Sequence, residues 1–305
     1  MRILITGSKG VIGTQLRAEL ESRGHTVMGI DLTHSNEPLN TYQRLDVRDI
    51  WLLERLFEKP HNSFDVVYFC SAEFGRHNGD MYSDSLWSTN VMGLKNMIRM
   101  QEKYKFRMVF FSSSEVYGDW QGTMSEDVPS NNPLVMLNDY AKSKEVGEWL
   151  VNRSIKESDT SSVIVRLFNT YGRERYSWYR SVNSRFVYNA IHGLPLIVYK
   201  GHERTSTFIT DTGNTLANIT DNFISGQVYN IGGTELHSIE RLAELTVDIA
   251  GASRDLIKYQ DPEPYTTTRK IVDTSKAIRD LKHNPKVSLE DGIRMTVEWM
   301  REEYK

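Results

Sequence analysis

The stretch from Arg2 to Gly13, RILITGSKGVIG, decides the fold of this chain. Its first five residues form a short apolar run, which is typical of a strand buried on both faces of a parallel sheet. A helical pattern with apolar residues at spacings of four follows, and Gly24 is suited to the position just past the end of that helix. A second apolar run over residues 26–30 completes a strand-turn-helix-strand unit.

The glycine-rich turn of this unit predicts a dinucleotide-binding site. Glycines let backbone N–H groups approach a pyrophosphate closely, and the N-terminus of the following helix adds partial positive charge. Asp31 ends the second strand, where a carboxylate accepts hydrogen bonds from a ribose diol and repels a 2′-phosphate, so NAD is favoured over NADP. The predicted cofactor contacts in this unit are Gly7, Gly10, Val11, Ile12, Gly13 and Asp31.

The composition is that of an ordinary globular protein, with 305 residues, 39% hydrophobic residues and a net charge of -3. This charge gives no argument for a nucleic-acid or membrane partner, and no apolar run is long enough to span a membrane. The single cysteine, Cys70, excludes a disulfide within the chain and fits a reducing cytoplasm, where we expect the protein to act. The histidines show no metal-ligand spacing, so we expect no metal.

Strand and helix patterns alternate through about residue 170, which predicts an α/β fold with a Rossmann-type, doubly wound parallel sheet. We expect an NAD-binding Rossmann domain over residues 1–170. Residues 171–305 then form a smaller C-terminal α/β region that binds substrate and returns elements to the first domain. Later strands are expected at 65–70, 108–112 and 162–168, and helices at 87–103 and 139–154.

Polar side chains that could carry chemistry lie at the end of one predicted strand and on one helix. Residues 112–115, Ser-Ser-Ser-Glu, follow an apolar strand at its carboxyl end, where ligands bind in open α/β sheets. Tyr140 and Lys144 are four residues apart on a predicted helix, so their side chains share one face. A nearby ammonium lowers the pKa of a phenol, and such a tyrosine can take a proton from a sugar hydroxyl while hydride leaves the same carbon for nicotinamide. The pattern therefore indicates redox chemistry on a sugar.

These motifs resemble the extended short-chain dehydrogenases/reductases, the group of nucleotide-sugar epimerases, dehydratases and decarboxylases, over essentially the whole chain. The resemblance implies an NAD-dependent enzyme that oxidises C4 of a nucleotide-linked sugar, with Tyr140 as base and then acid. Lys144 would also bind the nicotinamide ribose, and Ser113 would polarise the C4 oxygen. A homodimer formed through helices 87–103 and 139–154 is also implied. The further cofactor contacts implied by the resemblance are Asp46, Val47, Ser71, Ala72, Asn90 and Ser112.

The same resemblance implies contacts with a nucleotide diphosphate. Asn169 lies in the matching motif RLFNTYG, Arg204 begins a second matching segment, and Arg269 precedes a third. Two arginines converging on a diphosphate can give paired, charge-assisted hydrogen bonds. Structural salt bridges are the plainer interpretation of each arginine.

Two segments depart from the family pattern. Residues 73–77 begin with Glu73, and residues 173–188 are rich in arginine and aromatic side chains, among them Trp178, Tyr179, Arg180 and Arg185. Either segment could line the sugar or base pocket, because aromatic rings suit stacking and arginines suit phosphate. Alternatively, the aromatic residues pack on the domain surface or at an oligomer interface. The complete set of predicted substrate contacts is Glu73, Ser113, Ser114, Asn169, Arg185, Arg204 and Arg269.

The choice of reaction depends on Ser114 and Glu115. Dehydratases carry an Asp-Glu pair at these positions, and Ser114 removes the general acid of that pair. UDP-glucuronate decarboxylases, with Thr-Ser-Glu at positions 113–115, resemble the chain more closely here. Epimerisation at C4 needs only Ser113, Tyr140 and Lys144, so it is the expected reaction. Decarboxylation, dehydration, and epimerisation at C3 or C5 with Glu115 as base stay open, and Glu115 is alternatively a structural carboxylate.

Two further functions are weaker alternatives. A binding protein could keep the nucleotide fold to sense NAD(H) or a metabolite without turnover, but such proteins often lose the tyrosine or the lysine, and both are present here. A 4-reductase would need exchangeable NADPH, which Asp31 disfavours.

Overall fold

The computed structural model describes residues 1–177 and 181–305; Trp178, Tyr179 and Arg180 of the predicted aromatic segment lie outside the described residues. The strands are β1 (Arg2–Thr6), β2 (Thr26–Asp31), β3 (Tyr42–Arg44), β4 (Val66–Phe69), β5 (Arg107–Ser113), β6 (Thr123–Met124), β7 (Ser161–Leu167), β8 (Thr170–Tyr171), β9 (Leu196–Tyr199), β10 (Glu203–Thr205), β11 (Thr207–Phe208), β12 (Val228–Ile231), β13 (Leu236–Ser238), β14 (Ile257–Gln260) and β15 (Ile271–Val272).

The helices are α1 (Val11–Ser22), α2 (Ile50–Phe57), α3 (Arg76–Met81), α4 (Ser83–Trp87), α5 (Leu94–Tyr104), α6 (Val128–Asn131), α7 (Asp139–Ser158), α8 (Val182–Ile191), α9 (Ile209–Asp221), α10 (Ile239–Ala250), α11 (Ser275–Leu281) and α12 (Leu289–Glu303). Short 3-10 turns cover Ser114–Tyr117 and Arg254–Leu256, and a π-helical turn covers Ser88–Gly93. None of the helices in the described part of the chain is long and apolar enough to cross a membrane.

The main sheet of the described residues has seven parallel strands in the order β12-β7-β5-β4-β1-β2-β3. The chain builds outward from β1 in both directions, so the strand order reverses between β1 and β4. Ligands bind at such a switch point, outside the carboxyl ends of the strands. The predicted doubly wound parallel sheet is therefore confirmed.

Helices cover both faces of this sheet because successive side chains of its strands point to opposite sides. Ile3 and Ile5 of β1 are fully buried in a layer with α1, α9 and α11. Leu4, between them, is buried in the opposite layer with α2, α5 and α7. A separate apolar core joins α8, β9, α10 and α12. Strand β12 and helices α9 and α11 follow residue 170 in sequence, but β12 is an edge strand of the main sheet and both helices pack on that sheet. The domain boundary at residue 170 stays a prediction.

Individual elements follow the sequence pattern with small differences. Helix α1 ends at Ser22, and Gly24 follows with a φ of 80°, in the left-handed conformation that glycine favours. The helix predicted over 87–103 is instead divided, with α4 and α5 separated by the π-helical turn. The buried amide of Asn90 lies in that turn and is hydrogen-bonded to neighbouring elements, and π turns often occur where such a side chain is needed.

Candidate active site

The glycine-rich turn closes tightly between β1 and α1. Gly7 has a φ of 65°, and the amide of Gly10 donates to the Gly7 carbonyl at 3.1 Å. A Cβ on Gly13 would lie 2.3 Å from the Gly7 carbonyl oxygen, so no side chain fits there. Val11 and Ile12 lie in the first turn of α1, where N–H groups have no partner within the helix. This bare backbone cradle fits the pyrophosphate of a dinucleotide.

Asp31 lies at the carboxyl end of β2, beside the turn. Its carboxylate accepts hydrogen bonds from the amide of Lys9 at 2.9 Å and from the amide of Thr33 at 3.0 Å. These bonds hold the carboxylate where it fits a ribose diol. The Lys9 ammonium is ion-paired with Glu37, which also binds Arg17 at 2.6 Å. Because Lys9 and Arg17 are both paired with Glu37, the surroundings of the Asp31 carboxylate stay acidic, which disfavours a 2′-phosphate.

The other predicted cofactor residues lie near the ends of neighbouring strands. Asp46 is paired with Arg48 at 2.7 Å, and the adjacent Val47 is buried. Ser71 and Ala72 follow β4, and the Ser71 amide donates to a threonine hydroxyl of β1 at 3.0 Å. These contacts hold the chain beside the switch point of the sheet.

Asn90 is buried and fixes the segment that follows β4. Its Oδ1 accepts a hydrogen bond from the Glu73 amide at 2.8 Å, and its Nδ2 donates to the Glu73 carbonyl at 3.1 Å and to Ser143 Oγ at 3.0 Å. The Glu73 carboxylate accepts hydrogen bonds from Asn78 at 2.6 Å and Ser85 at 2.9 Å. The carboxylate predicted to contact substrate is thus held by two neighbouring side chains.

Ser113, Tyr140 and Lys144 form one buried cluster where the end of β5 meets the start of α7. The Ser113 side chain neighbours the Tyr140 hydroxyl and acts to lower its pKa. Lys144 Nζ lies 5.9 Å from the centre of the Tyr140 ring and donates to the Phe111 carbonyl at 2.8 Å. The side chain of Asn138 caps α7 and fixes the turn that carries Tyr140. The structure therefore brings the three side chains together.

Burial dominates the ionisation of this cluster. It raises the pKa of Tyr140; the Ser113 side chain acts in the opposite direction, and the Glu115 carboxylate raises it further. Burial also lowers the pKa of Lys144 to about 8. The spacing of Tyr140 and Lys144 predicts that Lys144 lowers the pKa of Tyr140. The structure corrects this expectation, because burial outweighs other influences and the ammonium donates its hydrogen bond to the Phe111 carbonyl.

A buried polar network lies behind the cluster. Ser112 donates to Glu148 at 2.5 Å, and Glu148 forms a two-pronged pair with Arg166 at 2.9 and 2.8 Å. Arg166 also donates to the Tyr117 hydroxyl at 3.0 Å, which in turn donates to Asn230 at 2.7 Å. This network joins β5, α7, β7 and β12. The Ser112 hydroxyl, predicted at the cofactor, is engaged within the protein.

Ser114 and Glu115 lie in the 3-10 turn that follows β5. The Glu115 carboxylate is ion-paired with Lys270, and Lys270 Nζ lies 3.4 Å from Ser114 Oγ. The Lys270 side chain is only 3% exposed. Burial opposes ionisation of Glu115, but the Lys270 ammonium, together with Arg204 and Asn138, outweighs it and holds the carboxyl pKa below its usual range. Lys270 is the residue of this site that the sequence analysis missed.

The side chains of Arg204 and Arg269 diverge. Arg204 is buried and donates to the carbonyls of Glu203 and Thr268, both at 2.8 Å. Arg269 is 50% exposed and binds the Glu203 carboxylate at 2.6 Å. Side chains alternate along an extended segment, so Lys270 points into the protein where Arg269 does not. The Arg-Lys dipeptide was the available signal, but the sequence does not say which of the two faces inward.

Asn169 follows β7 with a left-handed φ of 38°, and its buried Oδ1 has no hydrogen-bond partner within residues 1–177 and 181–305. An amide held in this way is suited to contact a ligand. Arg185 lies on α8; burial lowers its pKa, and the Glu263 carboxylate acts in the opposite direction. Tyr176 of the aromatic segment stacks on Tyr188, with ring centres 3.9 Å apart, so this part of the segment packs on the protein itself.

Comparison with known proteins agrees with this site. The family model described as the NAD dependent epimerase/dehydratase family matches residues 3–232. UDP-glucuronic acid decarboxylase 1 of Xenopus tropicalis is 28% identical over 99% of this chain and 72% of the relative. The dTDP-glucose 4,6-dehydratase of Streptomyces niveus is 29% identical over 99% of this chain and 93% of the relative.

A solved structure of UDP-glucuronic acid 4-epimerase from Bacillus cereus, in complex with UDP-glucuronic acid and NAD, superposes with a TM-score of 0.86. It is 26% identical and covers 100% of both chains. The resemblance drawn from the sequence and the prediction of NAD as the cofactor are thereby confirmed, and this chain belongs to the NAD-dependent epimerase/dehydratase family.

Proposed function

We propose that the protein is a nucleotide-sugar epimerase that inverts C4 through a transient 4-keto sugar. The observation that carries this proposal is the buried cluster of Ser113, Tyr140 and Lys144 at the carboxyl ends of the sheet strands. Inversion at C4 needs a proton acceptor, a group that holds the C4 oxygen and a hydride acceptor, and the first two are present in this cluster.

Each residue of the cluster has one task in this proposal. Tyr140 takes the proton from the C4 hydroxyl and returns it after the keto sugar has rotated to present its opposite face. Ser113 holds the C4 oxygen through a hydrogen bond, and Lys144 binds the nicotinamide ribose. Bound NAD+ supplies the hydride acceptor. Burial of the cluster excludes water, which strengthens each electrostatic contact and protects the intermediate.

The ion pair of Glu115 with Lys270 separates this proposal from dehydration and from C3 or C5 epimerisation, but not from decarboxylation. Decarboxylation of a sugar with a C6 carboxylate proceeds from the same 4-keto sugar, and both the Ser114-Glu115 pair and the decarboxylase relative support it. Dehydration and C3 or C5 epimerisation need a base that removes a proton from carbon, and Glu115 is the candidate for that base. The ion pair with Lys270 favours the ionised form of Glu115 and so weakens it as a base. C4 epimerisation makes no demand on this residue.

We infer that the substrate carries a nucleotide diphosphate, as the substrates named for the relatives do. Arg204 is a candidate contact because its guanidinium is buried near Glu115, and Asn169, which follows β7, is a candidate through its Nδ2 donor. Arg269 would have to leave Glu203 to join them. Glu73 and Arg185 stay candidates for the sugar and base pocket.

Replacing Tyr140 by Phe tests the proposal because the change removes one oxygen atom from a packed ring. We expect turnover of nucleotide sugars to fall at least about a hundredfold, in line with the loss of a general acid–base group, while NAD binding is retained. The measurement is separation of product from substrate by retention time and mass across a panel of nucleotide sugars. The matched control is Tyr82→Phe, at a side chain that is 55% exposed. Full turnover in Tyr140→Phe would end this mechanism.

The homodimer stays a prediction. Trp149 of α7, one of the two helices expected at the interface, is 57% exposed in the single chain. Light scattering on the purified protein gives the mass that decides between monomer and dimer.

A further inference from the structure

The Glu115–Lys270 pair is connected to the catalytic cluster on two sides. The Glu115 amide donates to Ser113 Oγ at 3.2 Å, and the Ser113 side chain neighbours the Tyr140 hydroxyl. Asn138, the residue that caps the helix carrying Tyr140, also neighbours the Glu115 side chain and favours its ionised form. The charge on Glu115 is therefore held close to the group proposed to lose and regain a proton.

Lys270 is an unusual residue to bury at this place. Its side chain is 3% exposed, and its ammonium contacts the Glu115 carboxylate and, at 3.4 Å, Ser114 Oγ. An apolar residue of similar volume often stabilises a core as well as a buried ion pair does, because desolvation of both charges opposes their attraction. Packing alone therefore gives no reason for an ammonium here, and the reason must be sought in its charge.

The charge of Glu115 affects Tyr140 directly. A carboxylate near a phenol disfavours phenolate, because two negative charges then share a poorly solvated space. Glu115 acts on Tyr140 in this direction. An ammonium in contact with the carboxylate reduces that repulsion, and Arg204 contributes a second positive charge to Glu115.

Other charged or titratable groups near the cluster have partners other than Glu115 and Tyr140. The Lys144 ammonium donates to a backbone carbonyl, and Glu148 is paired with Arg166. On helix α3, which packs against α7, both Arg76 and His77 contact Glu263. Further titratable groups on the elements around Tyr140 include Cys70 beside Lys144, Asp80 beside Arg76, Asp84 of α4, Asp139 of α7, which accepts a hydrogen bond from Trp87, the Lys142–Glu145 pair of α7, and Tyr117, which donates to Asn230.

We propose that Lys270 is a positioning residue of the active site: its ammonium neutralises Glu115, which keeps that carboxylate out of proton transfer and allows Tyr140 to ionise. The inference rests on the proposed function in so far as Tyr140 is the proton acceptor. It assigns the Ser-Glu pair of this chain an electrostatic task in place of a chemical one.

The test measures ionisation of Tyr140 in the NAD-loaded protein without substrate. Tyrosinate absorbance is followed against pH for each variant and for the same variant carrying Tyr140→Phe, and the difference isolates Tyr140. Lys270→Met leaves Glu115 unneutralised, so ionisation should move to higher pH by about one unit or more if Lys270 keeps its proton until Tyr140 ionises. Burial lowers the pKa of Lys270, and an ammonium that loses its proton before Tyr140 ionises would give no shift and would overturn the proposal. Glu115→Gln leaves Lys270 unpaired, so ionisation should move to lower pH.

Two further variants make the result specific. The double variant Glu115→Gln/Lys270→Met should return to the pH of the parent protein, and Lys270→Arg, which keeps the charge, should not depart from it. If Lys270→Met does not fold, the downward shift in Glu115→Gln and its cancellation in the double variant carry the test. Unchanged Tyr140 ionisation in Lys270→Met and Glu115→Gln would overturn the proposal.

The same variants give a second measurement in the pH dependence of kcat with a nucleotide sugar. The acid limb should move with the ionisation of Tyr140, upward in Lys270→Met and downward in Glu115→Gln. A lysine that only fills space would lower kcat without moving this limb. Failure of the proposed function appears separately, as turnover that survives Tyr140→Phe, while the absorbance measurement still decides whether Lys270 controls Tyr140.

Discussion

Two carboxylate–cation pairs in the described part of the chain, whose cations are 4% and 3% exposed, are built differently. Glu148 and Arg166 share two hydrogen bonds of 2.9 and 2.8 Å, and the fork of Arg166 also donates to Tyr117 and to a backbone carbonyl. Glu115 and Lys270 share a single ammonium–carboxylate contact, in the turn that also holds Ser113. The first pair has its polar atoms satisfied by a fixed network across four elements, whereas the second acts on a group that must change its charge.

The two pairs illustrate how arginine and lysine differ as partners of a buried carboxylate. A planar guanidinium stays charged and fixes the geometry of a carboxylate in two directions. A lysine ammonium is a compact point charge, and its pKa moves readily when it is buried. Burial lowers the pKa of Lys270, and the Glu115 carboxylate acts in the opposite direction. We therefore expect Arg166 to matter most for stability and Lys270 most for proton transfer.

Arg166→Met tests how much the Glu148–Arg166 pair contributes to stability, and we expect it to cause the greatest loss among these variants. It leaves Glu148 buried with one uncompensated charge, so the free energy of unfolding should fall by about 3–5 kcal/mol. Urea denaturation measures the loss. The matched control is Arg294→Met, at an exposed pair on α12, which should change stability by less than about 1 kcal/mol. Equal losses in both variants would show that the buried network is not what stabilises β5 and α7.

Lys144→Met adds a third buried cation to the comparison. The Lys144 ammonium donates its hydrogen bond to a backbone carbonyl and not to a carboxylate. Its pKa is lowered from 10.5 to about 8 in the folded protein, so between these values the unfolded chain binds a proton that the folded chain does not. The stability of the parent protein should therefore rise with pH across this window and fall as pH decreases through it. The rise is up to about 3 kcal/mol, since a tenfold change in proton affinity is worth about 1.4 kcal/mol.

The measurement is the difference in free energy of unfolding between the parent protein and Lys144→Met at several pH values. Because other lysines and tyrosines titrate in the same window, the difference isolates Lys144. Lys142→Met, at a side chain that is 53% exposed, serves as the control and should give a flat difference. A flat difference for Lys144→Met as well would contradict the burial argument.

Arg269→Ala has the smallest expected effect, because this ion pair is half exposed. Its loss should change the free energy of unfolding by less than about 1 kcal/mol. If Arg269 leaves Glu203 to bind the substrate diphosphate, KM should rise while kcat changes little. Steady-state kinetics decide this, with Arg204→Ala as the comparison at the buried position. An unchanged KM would remove Arg269 from the substrate site.

The parts of the molecule that are contiguous in sequence were predictable. The apolar run of β1, the glycines and Asp31 lie within one short unit, and the pattern of that unit determines both its fold and its ligand. Tyr140 and Lys144 were equally predictable, because four residues on a helix bring their side chains to one face.

The Glu115–Lys270 pair was not predictable in this way. Its members are separated by more than half of the chain, and whether Arg269 or Lys270 points inward depends on the register of a short extended segment. The raised pKa of Tyr140 also followed from burial, which the spacing of Tyr140 and Lys144 does not reveal. Long-range pairing and desolvation are properties of the folded chain, and local patterns do not encode them.

In the proposed reaction, hydride leaves C4 and returns to C4, while Glu115 takes no proton from carbon. Deuterium content of the product formed in heavy water tests it most directly, after exchangeable hydroxyl positions have been returned to hydrogen. We expect an isomer of the nucleotide sugar that contains no deuterium on carbon. Deuterium on carbon, or loss of water or carbon dioxide from the sugar, would contradict this mechanism and make Glu115 or a sugar carboxylate part of the chemistry.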